Sequence, residues 1–175
     1  MKYVIWVIIL LVLIKSCGQR SEFVKTSKMD IDQTRADRFL ALLREVGITN
    51  EEVVLAQAIL ETANFKSKIA MENKNHFGMK YNTRGWAKGT MNGHAYYDDE
   101  IDSYYDYKAW QDNAKRNYGP DLTTDEYLKL LNSPYKDRRR YAEDPLYTAK
   151  LKFIIKKIRA CCTVAPRPQP LPLWE

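Results

Sequence analysis

The segment VVLAQAILETANFKS, residues 53–67, decides the fold of this 175-residue chain. Positions 53–60 are apolar except for Gln57, so no side of a helix there would face solvent. We therefore predict a buried central helix. Gln57 and Glu61 lie one helical turn apart on the same side. A carboxylate in a buried helix is costly unless it is paired or borders a cleft, so Glu61 is either a helix end that reaches water or a functional group.

Helices are also predicted on the N-terminal side of this segment. An amphipathic pattern begins at Thr34 and stops at Gly47, a residue type that commonly follows a helix. Thr49 and Glu52 have the spacing of a capping box, with Thr49 as the N-cap of the central helix.

Three more helices are predicted downstream. Asp98 is the expected N-cap of the first, with further acidic residues in its first turn. Thr123 and Glu126 form a second capping box. Asp144 is the expected N-cap of the last helix, with a proline at its first position.

One β-hairpin is predicted between these helices. Asn92-Gly93 is a strong signal for a two-residue hairpin turn, with Trp86 on one side and Tyr97 on the other. The predicted fold class is therefore α+β and mainly helical, a helical body with one small hairpin lobe.

The N-terminus has the pattern of an export signal over residues 1–17. A basic residue precedes the apolar run Val4–Ile14, which is shorter than the roughly 17–25 residues of a transmembrane helix. Ser16-Cys17-Gly18 resembles a bacterial lipoprotein cleavage site, so we predict that Cys17 is lipidated and anchors the protein to the membrane. Lys15 departs from that pattern, which leaves plain secretion or an uncleaved anchor as alternatives.

The rest of the chain divides into a polar tether at 18–32, a folded domain at 33–160 and a proline-rich tail at 161–175. Cys161 and Cys162 are adjacent, which does not indicate a disulfide framework. The histidines, His76 and His94, lack the spacing of a metal site, so neither a metal nor another cofactor is predicted.

The formal net charge of the chain is +6. This favours an anionic partner such as the cell wall, a membrane surface or nucleic acid. No nucleic-acid-binding motif accompanies the basic residues, so nucleic acid is not a predicted partner. The oligomeric state is not predicted.

Three motifs occur in order along the body: LAQAILET at 55–62 followed by Ser67, NHFGMK at 75–80, and YAEDPLY at 141–147. Together they resemble the glucosaminidase domain of glycoside hydrolase family 73, which includes bacterial autolysins and the flagellar peptidoglycan hydrolase. The resemblance extends over about residues 33–159. It implies a lysozyme-like fold in which a groove between the helical body and the β lobe binds a glycan strand.

The resemblance also implies roles for particular residues. Glu61 matches the catalytic general acid, and Tyr141 matches a tyrosine that faces the cleft. The predicted substrate-binding residues are Gln57, Asn75, Phe77, Gly78 and Trp86. The substrate would be peptidoglycan, cleaved at the β-1,4 bond after N-acetylglucosamine, and the protein would belong to the bacterial cell envelope. A carboxyl at the end of an apolar helix suits this chemistry, because desolvation raises its pKa.

The sequence departs from the family where a second catalytic group is expected. Many members carry a second carboxylate in the β lobe, but the segment from Trp86 to Tyr97 contains no acid. The nearest acids are Asp98, Asp99, Glu100 and Asp102. Either one of these acts as a base, or the substrate's own acetamido group acts as nucleophile with help from Tyr141, or the domain binds glycan without cleaving it efficiently. A muramidase or lytic transglycosylase of related fold is a further alternative.

Overall fold

A computed structural model describes residues 30–119, 121–132 and 141–161. The predicted export signal with Cys17, nearly all of the tether, and the tail beyond Cys161 lie outside these residues. Within the described ranges, no helix combines the length and apolar character needed to cross a bilayer.

The described residues form six helices and one two-stranded antiparallel sheet. In chain order these are α1 (Gln33–Val46), α2 (Glu51–Glu61), α3 (Lys68–Met71), β1 (Gly89–Met91), β2 (His94–Tyr96), α4 (Glu100–Lys115), α5 (Thr124–Asn132) and α6 (Tyr147–Cys161). The prediction of a mainly helical α+β fold with one small hairpin is confirmed.

Helix α2 forms the centre of the core, as predicted. Every residue from Val53 to Ile59 is buried, including Gln57. The helix packs against α1, α5 and most extensively α6, while α1 also contacts α4. Burial on all sides explains why this sequence lacks a polar face.

The predicted capping box at the start of α2 is wrong. The N-cap is Asn50, which has a left-handed backbone (φ 56°) and makes no side-chain capping bond. Thr49 instead bonds Gln111, through its main-chain N–H at 2.9 Å and its hydroxyl at 3.1 Å. Glu52 pairs with Arg159 of α6. Tertiary contacts thus use both of the groups that a local cap would need.

The other predicted helix starts have mixed outcomes. The Thr123–Glu126 capping box is confirmed, with reciprocal bonds between the two residues. Helix α4 is capped by Asp99 rather than Asp98. Helix α6 begins at Tyr147, two residues later than the proline signal predicts; Asp144 accepts a bond from the Leu146 N–H at 2.8 Å.

The predicted hairpin turn at Asn92-Gly93 is confirmed. Both residues have positive φ (52° and 73°), and Met91 pairs with His94 across the turn. Each strand has only three residues, too few to be stable alone. The buried Asn73 amide supports the hairpin by donating to Met91 O at 2.5 Å and Ala95 O at 3.2 Å.

Candidate active site

Glu61 lies at the C-terminal end of α2, where the chain reverses sharply. The reversal uses three consecutive residues with positive φ, Ala63, Asn64 and Phe65. The Thr62 hydroxyl accepts a bond from the Phe65 N–H at 2.8 Å and steadies this turn. A left-handed backbone is costly for residues with a side chain, so the surrounding structure must hold it. The turn leaves the Glu61 carboxyl at the end of the buried helix.

The surroundings of Glu61 favour its neutral form. Burial raises the pKa of this carboxyl, while a hydrogen bond from Tyr147 and the charge of Lys80 lower it in part. The Tyr147 hydroxyl donates to Glu61 Oε1 at 3.0 Å. A general acid must stay protonated at a pH where an ordinary carboxyl is ionised, so the net direction of this shift suits that role.

The turn at residues 75–79 is shaped by Asn75, which is fully buried. Its Oδ1 accepts bonds from the N–H groups of Phe77 at 3.3 Å and Met79 at 3.0 Å. Its Nδ2 donates to Met79 O and Ala95 O, each at 2.9 Å. The predicted substrate-binding role of Asn75 is untested, but these four bonds give it a structural role: it joins the turn to the hairpin.

The same turn brings Gly78 against the carboxyl group of Glu61. A Cβ atom at Gly78 (φ +64°) would lie 3.1 Å from Glu61 Oε2. Phe77 is fully buried and stacks on Tyr107 with ring centroids 4.3 Å apart. Gly78 therefore borders the candidate acid directly, whereas Phe77 anchors the turn to α4.

Tyr141 borders the same region from the segment before α6. Its hydroxyl donates to Phe77 O at 2.7 Å, and its ring stacks on Tyr147 at 6.0 Å. Burial and the nearby charge of Glu61 raise its pKa well above the usual value. Tyr141 is therefore a neutral hydrogen-bond donor at physiological pH.

Gln57 and Trp86 lie away from the space beside Glu61 and Gly78. Gln57 is fully buried behind Tyr147, to whose hydroxyl its Nε2 donates at 3.3 Å. Trp86 is 37% exposed and stacks on Tyr105 with centroids 4.9 Å apart. An exposed aromatic pair of this kind can stack on sugar rings, but no contact links it to Glu61.

Three of the acids proposed as a second catalytic group, Asp98, Asp99 and Glu100, have partners other than Glu61, and the fourth, Asp102, lies in the first turn of α4. Asp99 caps α4, and Glu100 pairs with Arg38 of α1. Both line a cavity of about 620 Å³ whose lining also contains Phe65 and excludes Glu61. Asp98 lies 3.5 Å from Lys88 in an exposed pair. None of these acids is hydrogen-bonded to Glu61. No cluster of ligand residues suited to a metal ion occurs in the described ranges.

A comparison with models of protein families shows which family the chain belongs to. The model of the glucosaminidase family, described as mannosyl-glycoprotein endo-beta-N-acetylglucosaminidase, matches residues 36–160. The chain belongs to this family. The match confirms the predicted resemblance and makes residues 36–160 a glycoside hydrolase domain.

Two further comparisons add to this result. A search of curated proteins finds no match to the chain. Among solved structures, the glucosaminidase chain is similar to the catalytic domain of the autolysin Auto from Listeria monocytogenes, with 20% sequence identity and a TM-score of 0.46. The similarity covers 81% of this chain and 94% of that chain.

Some residues of the glucosaminidase site were not singled out from the sequence. Tyr147 ends the YAEDPLY motif, and this position within a matched motif was the available signal. Lys80 ends the NHFGMK motif and donates to Gly93 O at 2.7 Å. Asp106 is fully buried and accepts bonds from Arg84 at 2.5 Å and from Tyr97 at 2.8 Å. Asp106 lies within the helical pattern of α4, and nothing in the surrounding sequence indicates that its carboxylate is buried and paired.

Replacing Gly78 with Ala is expected to lower activity of the glucosaminidase domain at least tenfold, because the new methyl group would displace the Glu61 carboxyl. The matched control is Gly93→Ala. Gly93 also has positive φ (+73°), but a Cβ atom there meets nothing within 4 Å. Both variants should lose roughly 1 kcal/mol of unfolding free energy, measured by urea denaturation. Equal activity in the two variants would contradict the close approach to Glu61.

Proposed function

We propose that this glucosaminidase domain hydrolyses the glycan strands of bacterial peptidoglycan at the β-1,4 bond after N-acetylglucosamine, with Glu61 as general acid. The observation that carries the proposal is the position of Glu61. Its carboxyl lies at the end of a buried helix, is favoured in its neutral form by burial, and packs closely against Gly78, where a side chain would crowd it.

The reaction needs a proton donor and a nucleophile. In our proposal, Glu61 gives its proton to the leaving glycosidic oxygen as the bond to the anomeric carbon breaks. The acetamido oxygen of the same N-acetylglucosamine attacks that carbon and forms a cyclic intermediate, as in other substrate-assisted glycosidases. Water then opens the intermediate and returns a proton to Glu61.

Two features support the acetamido group over a second carboxylate. Asp99 and Glu100, two of the acids that follow the hairpin, line a cavity whose lining excludes Glu61, and Asp98 pairs with Lys88. Tyr141 is a neutral donor whose hydroxyl now bonds Phe77 O at 2.7 Å. It can turn to hold the polar acetamido group in position for attack.

We also propose that the protein acts in the cell envelope, anchored through a lipid on Cys17. The sequence pattern around Cys17 supports the anchor. The net charge of +6 favours attraction to an anionic wall or membrane.

Product analysis of digested peptidoglycan tests the reaction. Sacculi are incubated with the protein, the fragments are reduced with borohydride, and mass spectrometry identifies the reduced sugar. We expect reduced N-acetylglucosamine. Reduced N-acetylmuramic acid would identify a muramidase, and an anhydro-sugar would identify a lytic transglycosylase. A protein that binds sacculi but releases no fragment would be a non-catalytic binding protein, and each of these three results overturns the proposal.

A further inference from the structure

A line of buried hydrogen bonds crosses the helical body from Thr49 to Glu61. It begins at Gln111 of α4, whose amide is held by main-chain groups of Thr49. Gln111 Oε1 accepts from the Thr49 N–H, and Gln111 Nε2 donates to Thr49 O, both at 2.9 Å. A main-chain N–H can only donate and a carbonyl can only accept. The orientation of the Gln111 amide is therefore fixed.

The orientation of Gln111 fixes the first of the bonds that follow, and the orientation of the Gln57 amide at the other end fixes the rest. Gln111 Nε2 donates to the Tyr127 hydroxyl at 2.8 Å. Tyr127 and Tyr107 have their hydroxyl oxygens 3.0 Å apart, and Tyr107 donates to Gln57 Oε1 at 2.6 Å. Because each hydroxyl has one proton, Tyr107 must accept from Tyr127. In each of these bonds, the donor is therefore the residue farther along the line from Glu61 and the acceptor is the residue nearer to it.

The line ends at the candidate acid. Gln57 uses its Oε1 to accept from Tyr107, so its Nε2 is the group that faces Tyr147, at 3.3 Å. Tyr147 accepts that bond, and its hydroxyl donates a hydrogen bond to Glu61 Oε1 at 3.0 Å. Among the residues that the structure describes, the Tyr147 hydroxyl has no other acceptor.

We propose that the Gln111 and Gln57 amides together set the direction of this line, which holds Tyr147 as a donor to Glu61 Oε1 and leaves Oε2 to carry the acidic proton. Oε2 is the oxygen that faces Gly78, where a Cβ atom would lie only 3.1 Å away. Oε2 therefore lies against the turn at Gly78, where any side chain in place of the glycine hydrogen would crowd it. Gln57, Tyr107 and Tyr127 are positioning residues that act through Tyr147.

The inference rests on the proposed role of Glu61, but its test does not require hydrolysis. The carboxyl carbon of Glu61 is followed by ¹³C NMR across a pH titration of the full chain, with Glu61→Gln used to assign the signal. Loss of the Tyr147 bond removes stabilisation of the carboxylate. Tyr147→Phe is therefore expected to lower the acid dissociation constant of Glu61 by about tenfold.

Tyr107→Phe is the decisive variant. Without the Tyr107 hydroxyl, the Gln57 amide is free to rotate and offers Oε1 to Tyr147 in competition with Glu61. The dissociation constant of Glu61 should fall in the same direction as in Tyr147→Phe, by a smaller factor. The double variant should equal Tyr147→Phe alone, because both substitutions act through one bond. Tyr127→Phe, one bond further from Glu61, should give the smallest change in the dissociation constant. It replaces Tyr107→Phe as the test if that variant does not fold.

The matched control is Tyr104→Phe. Tyr104 is also a buried tyrosine of α4, but its hydroxyl is not part of the line, so its substitution should leave the titration unchanged. A purely structural role predicts that Tyr107→Phe lowers stability and leaves the Glu61 titration unchanged, as in the control. That result, or additive shifts in the double variant, would overturn the inference. An inactive protein with the expected shifts would overturn only the proposed function.

Discussion

Replacing Glu61 with Gln is expected to lower the rate of peptidoglycan hydrolysis by about 10²–10⁴-fold, the usual contribution of a general acid. The amide keeps the shape of the side chain and can still accept the bond from Tyr147, but it has no acidic proton to transfer. The rate is measured as release of soluble fragments from sacculi. Loss of kcat with KM retained would show that the acid acts in the chemical step.

The stability of this variant separates loss of chemistry from loss of fold. Burial raises the pKa of Glu61 in the folded state, so its contribution to stability is present below the unfolded pKa and is lost as pH rises through the folded pKa. Above the unfolded pKa, replacing this ionisable carboxyl with a neutral amide should therefore raise the free energy of unfolding. Glu45→Gln, at an exposed position of α1, is the control and should retain full activity. Retention of activity by Glu61→Gln would exclude Glu61 as the acid.

Replacing Asn75 with Ala is expected to cost about 3–5 kcal/mol of unfolding free energy, a large loss for one side chain. The substitution leaves the buried N–H groups of Phe77 and Met79 without their acceptor and removes one donor each from Met79 O and Ala95 O. The loss is measured by chemical denaturation. Activity should fall as well, because the turn that carries Gly78 would no longer be fixed beside Glu61.

The control for this prediction is Asn132→Ala. Asn132 is exposed at the end of α5, and its replacement should change stability by less than about 0.5 kcal/mol. If Asn75→Ala lost less than 1 kcal/mol while retaining a native fold, the turn would not depend on the amide. Activity that survived with normal stability would contradict the link between the turn and the acid.

The features that were predicted correctly from the sequence depend on local pattern. A helix without a polar face must be buried, and the Asn92-Gly93 pair matches the positive φ values that its turn requires. The Thr123–Glu126 cap forms from bonds between the two residues of the motif themselves. The capping box at Thr49 failed for the opposite reason: Gln111, far away in sequence, bonds the main chain and hydroxyl of Thr49. Sequence spacing alone does not reveal such a partner.

In the candidate site, too, the residues marked by a local pattern were predicted and the contacts between distant residues were not. Glu61 was identifiable because a carboxylate in an apolar helix is unusual, and Tyr141 because it lies in a matched motif. Tyr147 lies in the same motif, but the motif does not reveal its bond to Glu61, which its hydroxyl reaches across 86 residues of chain. Gln57 was expected to contact substrate from its helical face, but it is buried and bonds Tyr147 instead.

The dependence of the hairpin on Asn73 and Asn75 has a consequence for biosynthesis. Two three-residue strands do not hold together in isolation, so the hairpin takes its shape only when residues 73–79 dock on the helical body through Phe77. Tyr147 lies in α6, the last described element to leave the ribosome. A nascent chain therefore lacks the bond from Tyr147 to Glu61 until α6 has emerged and packed against α2.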